Sequence, residues 1–160
     1  MGLFSRLFKK KKKNKDLVAH SNDLSMEEIE KIQLSLKDKM DADVYNSIFN
    51  QACRLIPKGQ YEEAIAMFSV IEENSTDTHE KGNCQNQIGV CHFFLGDFEK
   101  AIGFYVQSYK SGFNKSMMDD NIWEACEELM KKDGDKAKWA QYYLSILPDG
   151  NYAGKAQKSL

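Results

Sequence analysis

The side chains that most often carry catalysis or bind metals are few in this sequence and lie far apart. They are three histidines and four cysteines: His20, His79, His92, Cys53, Cys84, Cys91 and Cys126. Only His92 is close in sequence to Cys84 and Cys91, whereas a structural zinc site needs four ligands. No phosphate loop, H-E-x-x-H motif or nucleophile elbow is present. We therefore expect no enzyme, metal site or cofactor, and we interpret the cysteines as small buried hydrophobic residues.

Positive charge is concentrated at the N-terminus. Residues 1–15 hold seven basic side chains and no acidic one, while residues 16–160 hold 15 basic and 24 acidic side chains, a net charge of −9. Four apolar residues accompany these cations, and on a helix they would share one side. Apolar side chains that enter the headgroup boundary and cations that attract anionic lipid are what an interfacial anchor needs. We predict membrane binding through Leu3, Phe4, Arg6, Leu7, Phe8, Lys9, Lys10, Lys11, Lys12 and Lys13.

Other functions of this basic segment are compatible with its composition. Met1-Gly2 invites N-terminal acylation, but that pattern has Ser or Thr at the sixth position, where this chain has Arg6. A lysine run also attracts nucleic acid. Here the run lacks interleaved aromatic residues and precedes an acidic body that repels phosphate, so we do not expect a nucleic-acid partner. A nuclear localisation signal or a solubilising, disordered tail would have the same composition.

The remainder of the chain has the composition of an ordinary globular domain. Its 42% hydrophobic and 11% aromatic content argues against a wholly disordered chain. No apolar run approaches the roughly 20 residues that span a bilayer. The cysteines form no disulfide framework, and no secretory signal is recognisable. We expect a cytoplasmic protein, held at the inner face of the membrane where the N-terminal segment anchors it.

Apolar residues recur at spacings of three and four, which predicts an all-α fold. Ser25 and Glu28 have the spacing of a helix capping box, and an apolar stripe that starts at Ile29 predicts a leading helix that docks on the body. The predicted organisation has four parts: a flexible basic tail and linker (1–23), the leading helix (24–40), a repeat domain (41–150) and a C-terminal tail (151–160), which is either frayed or a short cap on the repeats.

The body contains an internal repeat. Gly59-Gln60-Tyr61-Glu62-Glu63-Ala64-Ile65 returns 37 residues later as Gly96-Asp97-Phe98-Glu99-Lys100-Ala101-Ile102. A fainter copy begins at Gly134, 38 residues further on. A period of this size predicts stacked helical hairpins, because one hairpin cannot bury its own apolar face.

With these repeats the sequence resembles the tetratricopeptide repeat (TPR) family, with about three units over residues 42–147. The middle unit carries the signature best, at Gln85, Ile88, Gly89, His92, Ala101 and Tyr105. The third unit departs from it, since Glu127 and Trp139 occupy places where the family prefers small residues. The resemblance implies a right-handed α-solenoid of hairpins, with Gly59, Gly96 and Gly134 in the turn inside each hairpin.

The resemblance also implies where a partner would bind. In the family, the first helix of each hairpin lines a concave groove that holds partner peptides. The inward-facing residues would be Asn46, Phe49, Asn50 and Cys53 of the first unit, Asn83, Asn86, Gln87, Val90 and Phe94 of the second, and Asn121, Glu124, Ala125 and Glu128 of the third. Carboxamides, which both donate to and accept from a peptide backbone, dominate this set. No cation lies in it, so we do not expect it to hold a carboxylate.

The predicted function is therefore a non-enzymatic adaptor or scaffold. Its groove would bind an extended or short helical segment of another protein, and its N-terminal segment would bind an anionic membrane. If the amides only solvate an exposed helical face, the groove has no such role. Two further alternatives keep a single protein partner: a three-repeat secretion-type chaperone, which is similar in length and repeat spacing, and an immunity protein.

Overall fold

In the computed structural model, residues 25–36 and 42–160 are described, and they form eight α-helices and a 3₁₀ turn, with no β-strand among them. The helices are α1 (Met26–Leu36), α2 (Ala42–Cys53), α3 (Tyr61–Asn74), α4 (Thr78–Phe94), α5 (Phe98–Lys110), α6 (Lys115–Asp133), α7 (Lys136–Ile146) and α8 (Ala153–Gln157). The prediction of an all-α fold is confirmed for this part of the chain. None of these helices is long and apolar enough to cross a membrane.

The chain divides into two compact units, residues 1–75 and 76–160, so the division falls inside the predicted repeat domain. In the first unit, α1 begins with the predicted capping box. The Glu28 N–H donates to Ser25 Oγ (3.3 Å), and the Ser25 N–H donates to Glu28 Oε2 (3.1 Å). Ile29 is 1% exposed and α1 contacts α3, as the apolar stripe predicts. The predicted end of this helix near residue 40 lies outside the described residues.

The remainder of the first unit is a pair of helices, α2 and α3. Helix α2 ends at Cys53, and Pro57 lies in the 3₁₀ turn Ile56–Lys58 that follows it. A proline cannot continue an α-helix without losing a hydrogen bond, which explains the early end. The core of this unit contains Ile29, Ile48, Ala52, Leu55, Ala64, Met67, Phe68, Val70 and Ile71.

The second unit begins with the hairpin of α4 and α5. A Cβ atom added at Gly89 would lie 2.5 Å from Tyr105 Cε1, and the Ser108 hydroxyl donates to the Gly82 carbonyl at 2.7 Å. The Gly82–Ser108 pair is further apart in sequence than the Gly89–Tyr105 pair and lies further from the turn. The two helices α4 and α5 are therefore antiparallel. The turn contains Gly96 at φ 78°, a conformation that costs glycine little.

The second hairpin joins α6 and α7 and packs on α5 through α6. Helix α6 ends at Asp133 and is followed by Gly134, which has φ 79°. Just after this turn, the Trp139 indole N–H donates to Asp133 Oδ2 at 2.7 Å, and further along α7 the Tyr143 hydroxyl donates to Asp119. Trp139 is 5% exposed, so this large side chain is part of the core.

The predicted C-terminal tail is a packed part of the second unit. Residues 153–157 form α8, which contacts α7 and buries Ala156 completely. The Tyr152 ring stacks on Trp123 with centroids 5.4 Å apart, and the Asn151 N–H donates to Asp119 Oδ2 at 2.7 Å. Aromatic stacking and a buried carboxylate therefore hold this segment against α6.

Candidate functional site

The predicted groove residues of the first unit lie on α2. Asn46 and Asn50, one helical turn apart, are exposed. Phe49 is half-buried, and its ring packs edge-on against Phe68 at 5.3 Å, so much of it is used in packing α2 on α3. Cys53 is half-buried as well, and this burial raises the pKa of its thiol. The two asparagines are thus the accessible polar groups of this set.

In the second unit, the structure brings two of the predicted residues into direct contact. The Asn121 Nδ2 amide donates to Asn86 Oδ1 at 3.0 Å, which links the first helices of the two hairpins, α4 and α6. Asn86 is 4% exposed and Asn121 is half-buried. The two sequence-predicted faces of α4 and α6 therefore lie beside each other.

This asparagine pair retains further hydrogen-bonding capacity. Within the described part of the chain, the one hydrogen bond recorded for either side chain is the one that joins them. A carboxamide has two N–H donors and a carbonyl acceptor with two lone pairs. The half-buried Asn121 keeps its carbonyl as an acceptor for another molecule, whereas the nearly buried Asn86 presents little of its NH₂ group.

The other α4 residues of the predicted groove flank this pair. Val90 lies one helical turn from Asn86 and is half-buried, as are Asn83 and Gln87. Phe94, at the C-terminal end of α4, is 58% exposed. An apolar side chain and several amides are therefore neighbours along one helix.

The α6 residues divide into buried and accessible positions. Ala125 is fully buried in the core of the second unit, so it is not available to a partner as the inward assignment implied. Glu124 is exposed, whereas Glu128 forms an ion pair with Lys131 at 2.5 Å. Burial, and next the nearby Glu124 carboxylate, raise the pKa of the Tyr105 hydroxyl. Glu124 therefore lies close to the side chain that packs against α4.

The predicted membrane-binding residues, Leu3 to Lys13, lie outside the described residues.

The prediction that the cysteines are small buried hydrophobic residues can be compared with the structure. Cys84, Cys91 and Cys126 are fully buried and form no disulfide bond with a described residue, and burial, with a smaller contribution from Glu127, raises the pKa of Cys126 to about 12. In the described residues, no group of three or more His, Cys, Asp and Glu side chains is arranged to hold a metal.

One buried polar network was not predicted from the sequence. Asp119, 6% exposed, accepts from the Tyr143 hydroxyl and the Asn151 N–H, while the Tyr152 N–H donates to the Tyr143 oxygen at 3.2 Å. These partners lie 24 and 32 residues from Asp119, so no local motif signals the contacts. A pocket of about 380 Å³ opens beside Asp119. Because the carboxylate is already bonded on both oxygens, we assign the network to holding the C-terminal segment.

Comparison with known proteins leaves the function to be argued from this geometry. No family model matches the chain, and no curated protein and no solved structure matches it.

Proposed function

We propose that the chain is a TPR-like, non-enzymatic interaction module that binds an extended or short helical segment of another protein. The observation that carries this proposal is the hydrogen bond between Asn121 and Asn86, because it joins the amide-bearing faces of α4 and α6 and leaves the half-buried Asn121 with a carbonyl acceptor. Val90 supplies apolar surface on the same side. Such a face matches the needs of a backbone and an apolar side chain in a bound segment.

The finer architecture, a right-handed solenoid of TPR-like hairpins, belongs to this proposal. It is supported by the 37-residue repeat in the sequence. It is also supported by the equivalent glycines Gly59, Gly96 and Gly134, which have φ values of 75°, 78° and 79° in corresponding turns. A third support is the close approach of Gly89 to Tyr105, where a larger residue would not fit.

We further propose that residues 1–15 hold this module at an anionic membrane surface on the cytoplasmic side. The support is compositional: the short segment has seven cations, no acidic residue and the apolar residues Leu3, Phe4, Leu7 and Phe8. Each Lys or Arg near an anionic surface contributes on the order of 1 kcal/mol of binding free energy. The membrane would then set where the module meets its partner.

The interaction proposal is tested with the full-length protein as bait. Asn121→Ala removes the donor to Asn86 and the carbonyl offered to a partner. The matched control is Gln107→Ala, which removes an exposed amide on α5. We expect a partner that wild type and the control retain equally and that Asn121→Ala retains about tenfold less well. Quantitative mass spectrometry of the retained proteins measures this, with circular dichroism to verify folding. If no retained protein distinguishes the two variants, the α4 and α6 face is not the binding site.

A further inference from the structure

The α6 helix carries three glutamates in two successive turns, and their environments differ. Glu127 pairs with Lys155 and Glu128 pairs with Lys131, each at 2.5 Å. Glu124 has no ion pair with any described residue, although it is exposed and free to form one. Among these three glutamates, Glu124 is thus the one without an ion pair.

Glu124 lies on the face of α4 and α6 that we propose binds the partner segment. Glu124 follows Asn121 by three residues, so the two side chains project from the same side of α6. Its carboxylate also acts on the Tyr105 hydroxyl, and the Tyr105 ring packs against Gly89 of α4. Glu124 therefore lies beside the line along which the Asn86 and Asn121 amides meet.

The charge on this face has one sign. None of the predicted inward-facing positions of α4 and α6 is a lysine or an arginine, and the charged members are Glu124 and Glu128. Lys131 forms its ion pair with Glu128 and acts on Glu124 only weakly and at a distance, so Glu124 keeps no direct ion pair among the described residues. A carboxylate next to partly buried amides gains most from a cation that brings its own N–H donors, since charge-assisted hydrogen bonds are about twice as strong as neutral ones.

We propose that the partner segment carries a lysine or arginine that pairs with Glu124 while its neighbouring backbone bonds to the Asn121 amide and an adjacent apolar side chain contacts Val90. This inference rests on the proposed function and names the chemistry of its partner: an extended basic segment, not an acidic one.

The test uses a random peptide library displayed on phage and selected on the full-length protein. Four baits are compared: wild type, Glu124→Gln, Glu124→Lys and Glu99→Gln. Glu99→Gln is the matched control because Glu99 is an exposed glutamate on α5. We expect wild type and the control to enrich peptides with Lys or Arg at one fixed position. A synthetic peptide of that consensus should bind Glu124→Gln about tenfold or more weakly than wild type.

A charge exchange makes the assignment specific to this pair. If the consensus cation contacts Glu124, a peptide in which that cation is replaced by glutamate should bind Glu124→Lys better than it binds wild type. A merely acidic surface would not produce this exchange, since the other carboxylates are unchanged in the variant.

Two outcomes separate the failure of this inference from the failure of the proposed function. Peptides that lose binding on Asn121→Ala, but have no basic consensus or bind Glu124→Gln as tightly as wild type, would overturn the role of Glu124 and leave the binding face intact. If no enriched peptide depends on Asn121, both the face and the cation preference are wrong.

Discussion

At the scale of single residues, Gly89 is one of the glycines in the second unit where a side chain would not fit. A Cβ atom at position 89 would lie 2.5 Å from Tyr105 Cε1 and 2.7 Å from its Cδ1. Tyr105 is 3% exposed, so its ring has little room to move away. The glycine therefore allows α4 and α5 to approach each other closely at Tyr105.

We expect Gly89→Ala to lower the free energy of unfolding by about 1–3 kcal/mol, because overpacking outweighs the higher helix propensity of alanine. Gly103→Ala is the matched control: Gly103 lies within α5, and a Cβ atom there meets nothing within 4 Å. The control should gain about 0.5–1 kcal/mol. Urea denaturation followed by tryptophan fluorescence measures both, since Trp123 and Trp139 lie in the second unit. Shifts of the same sign in both variants would contradict the close approach.

His92 gives a prediction of pH dependence. Its ring stacks on Phe104 at 5.5 Å, and burial, with a smaller contribution from Lys100, lowers its pKa. The unfolded chain therefore binds a proton at this histidine at a higher pH than the folded protein does. Stability contributed by the neutral ring is present above a pH of about 6.5 and is lost as the pH falls below it. We expect His92→Gln to reduce the loss of unfolding free energy between pH 7 and pH 5. An unchanged slope would show that His92 does not titrate differently on folding.

At the scale of elements, the sequence was informative where the signals are local. The Ser25 and Glu28 capping box predicted the start of α1, and the repeated glycines predicted the turns at Gly96 and Gly134. The pairing of Asn86 with Asn121 was not predicted, because the repeat aligns Asn121 with Asn83, one turn earlier on α4. Contacts between helices depend on packing that a repeat period alone does not specify.

The C-terminal segment shows the same limit. The sequence left residues 151–160 open as a frayed tail or a short cap, and the segment packs through contacts with residues far away in sequence. Asp119 lies 32 residues before Asn151, and Trp123 stacks on Tyr152 at an interplanar angle of 5°. The information that orders this segment is therefore on α6, not in the segment itself.

This packing predicts a distinct effect of two substitutions at one position. Tyr152→Ala removes the ring stacked on Trp123 and should lower the free energy of unfolding of the second unit by about 1–3 kcal/mol. Tyr152→Phe keeps the ring and loses the hydroxyl that donates to Asp120 at 3.0 Å, so we expect a loss below about 1 kcal/mol. Urea denaturation monitored by tryptophan fluorescence compares the two. Equal stability of both variants and wild type would mean that the stacked ring does not hold the segment.

At the scale of the whole molecule, the net charge of −2 is the sum of two unlike parts. Residues 1–15 contribute seven positive charges, and residues 16–160 have a net charge of −9. An anionic surface would repel the second part and attract the first. Membrane binding therefore depends on the electrostatic attraction between the basic segment and anionic lipids. Because salt screens this attraction, binding should weaken as the ionic strength rises.

Deleting residues 1–15 should abolish binding to vesicles that contain phosphatidylserine, since the deletion removes every cation of the segment and leaves a net charge of −9. Full-length protein should float with these vesicles, not with neutral ones, and should be released as salt rises and the screening length falls from about 10 Å at 0.1 M to about 3 Å at 1 M. A control in which Leu3, Phe4, Leu7 and Phe8 become serine keeps all seven charges. It should bind more weakly than wild type, because it has lost the apolar side chains that enter the headgroup boundary. Flotation of the deletion variant to the same extent as wild type would place the membrane contact elsewhere, and equal binding of the serine control would assign it to charge alone.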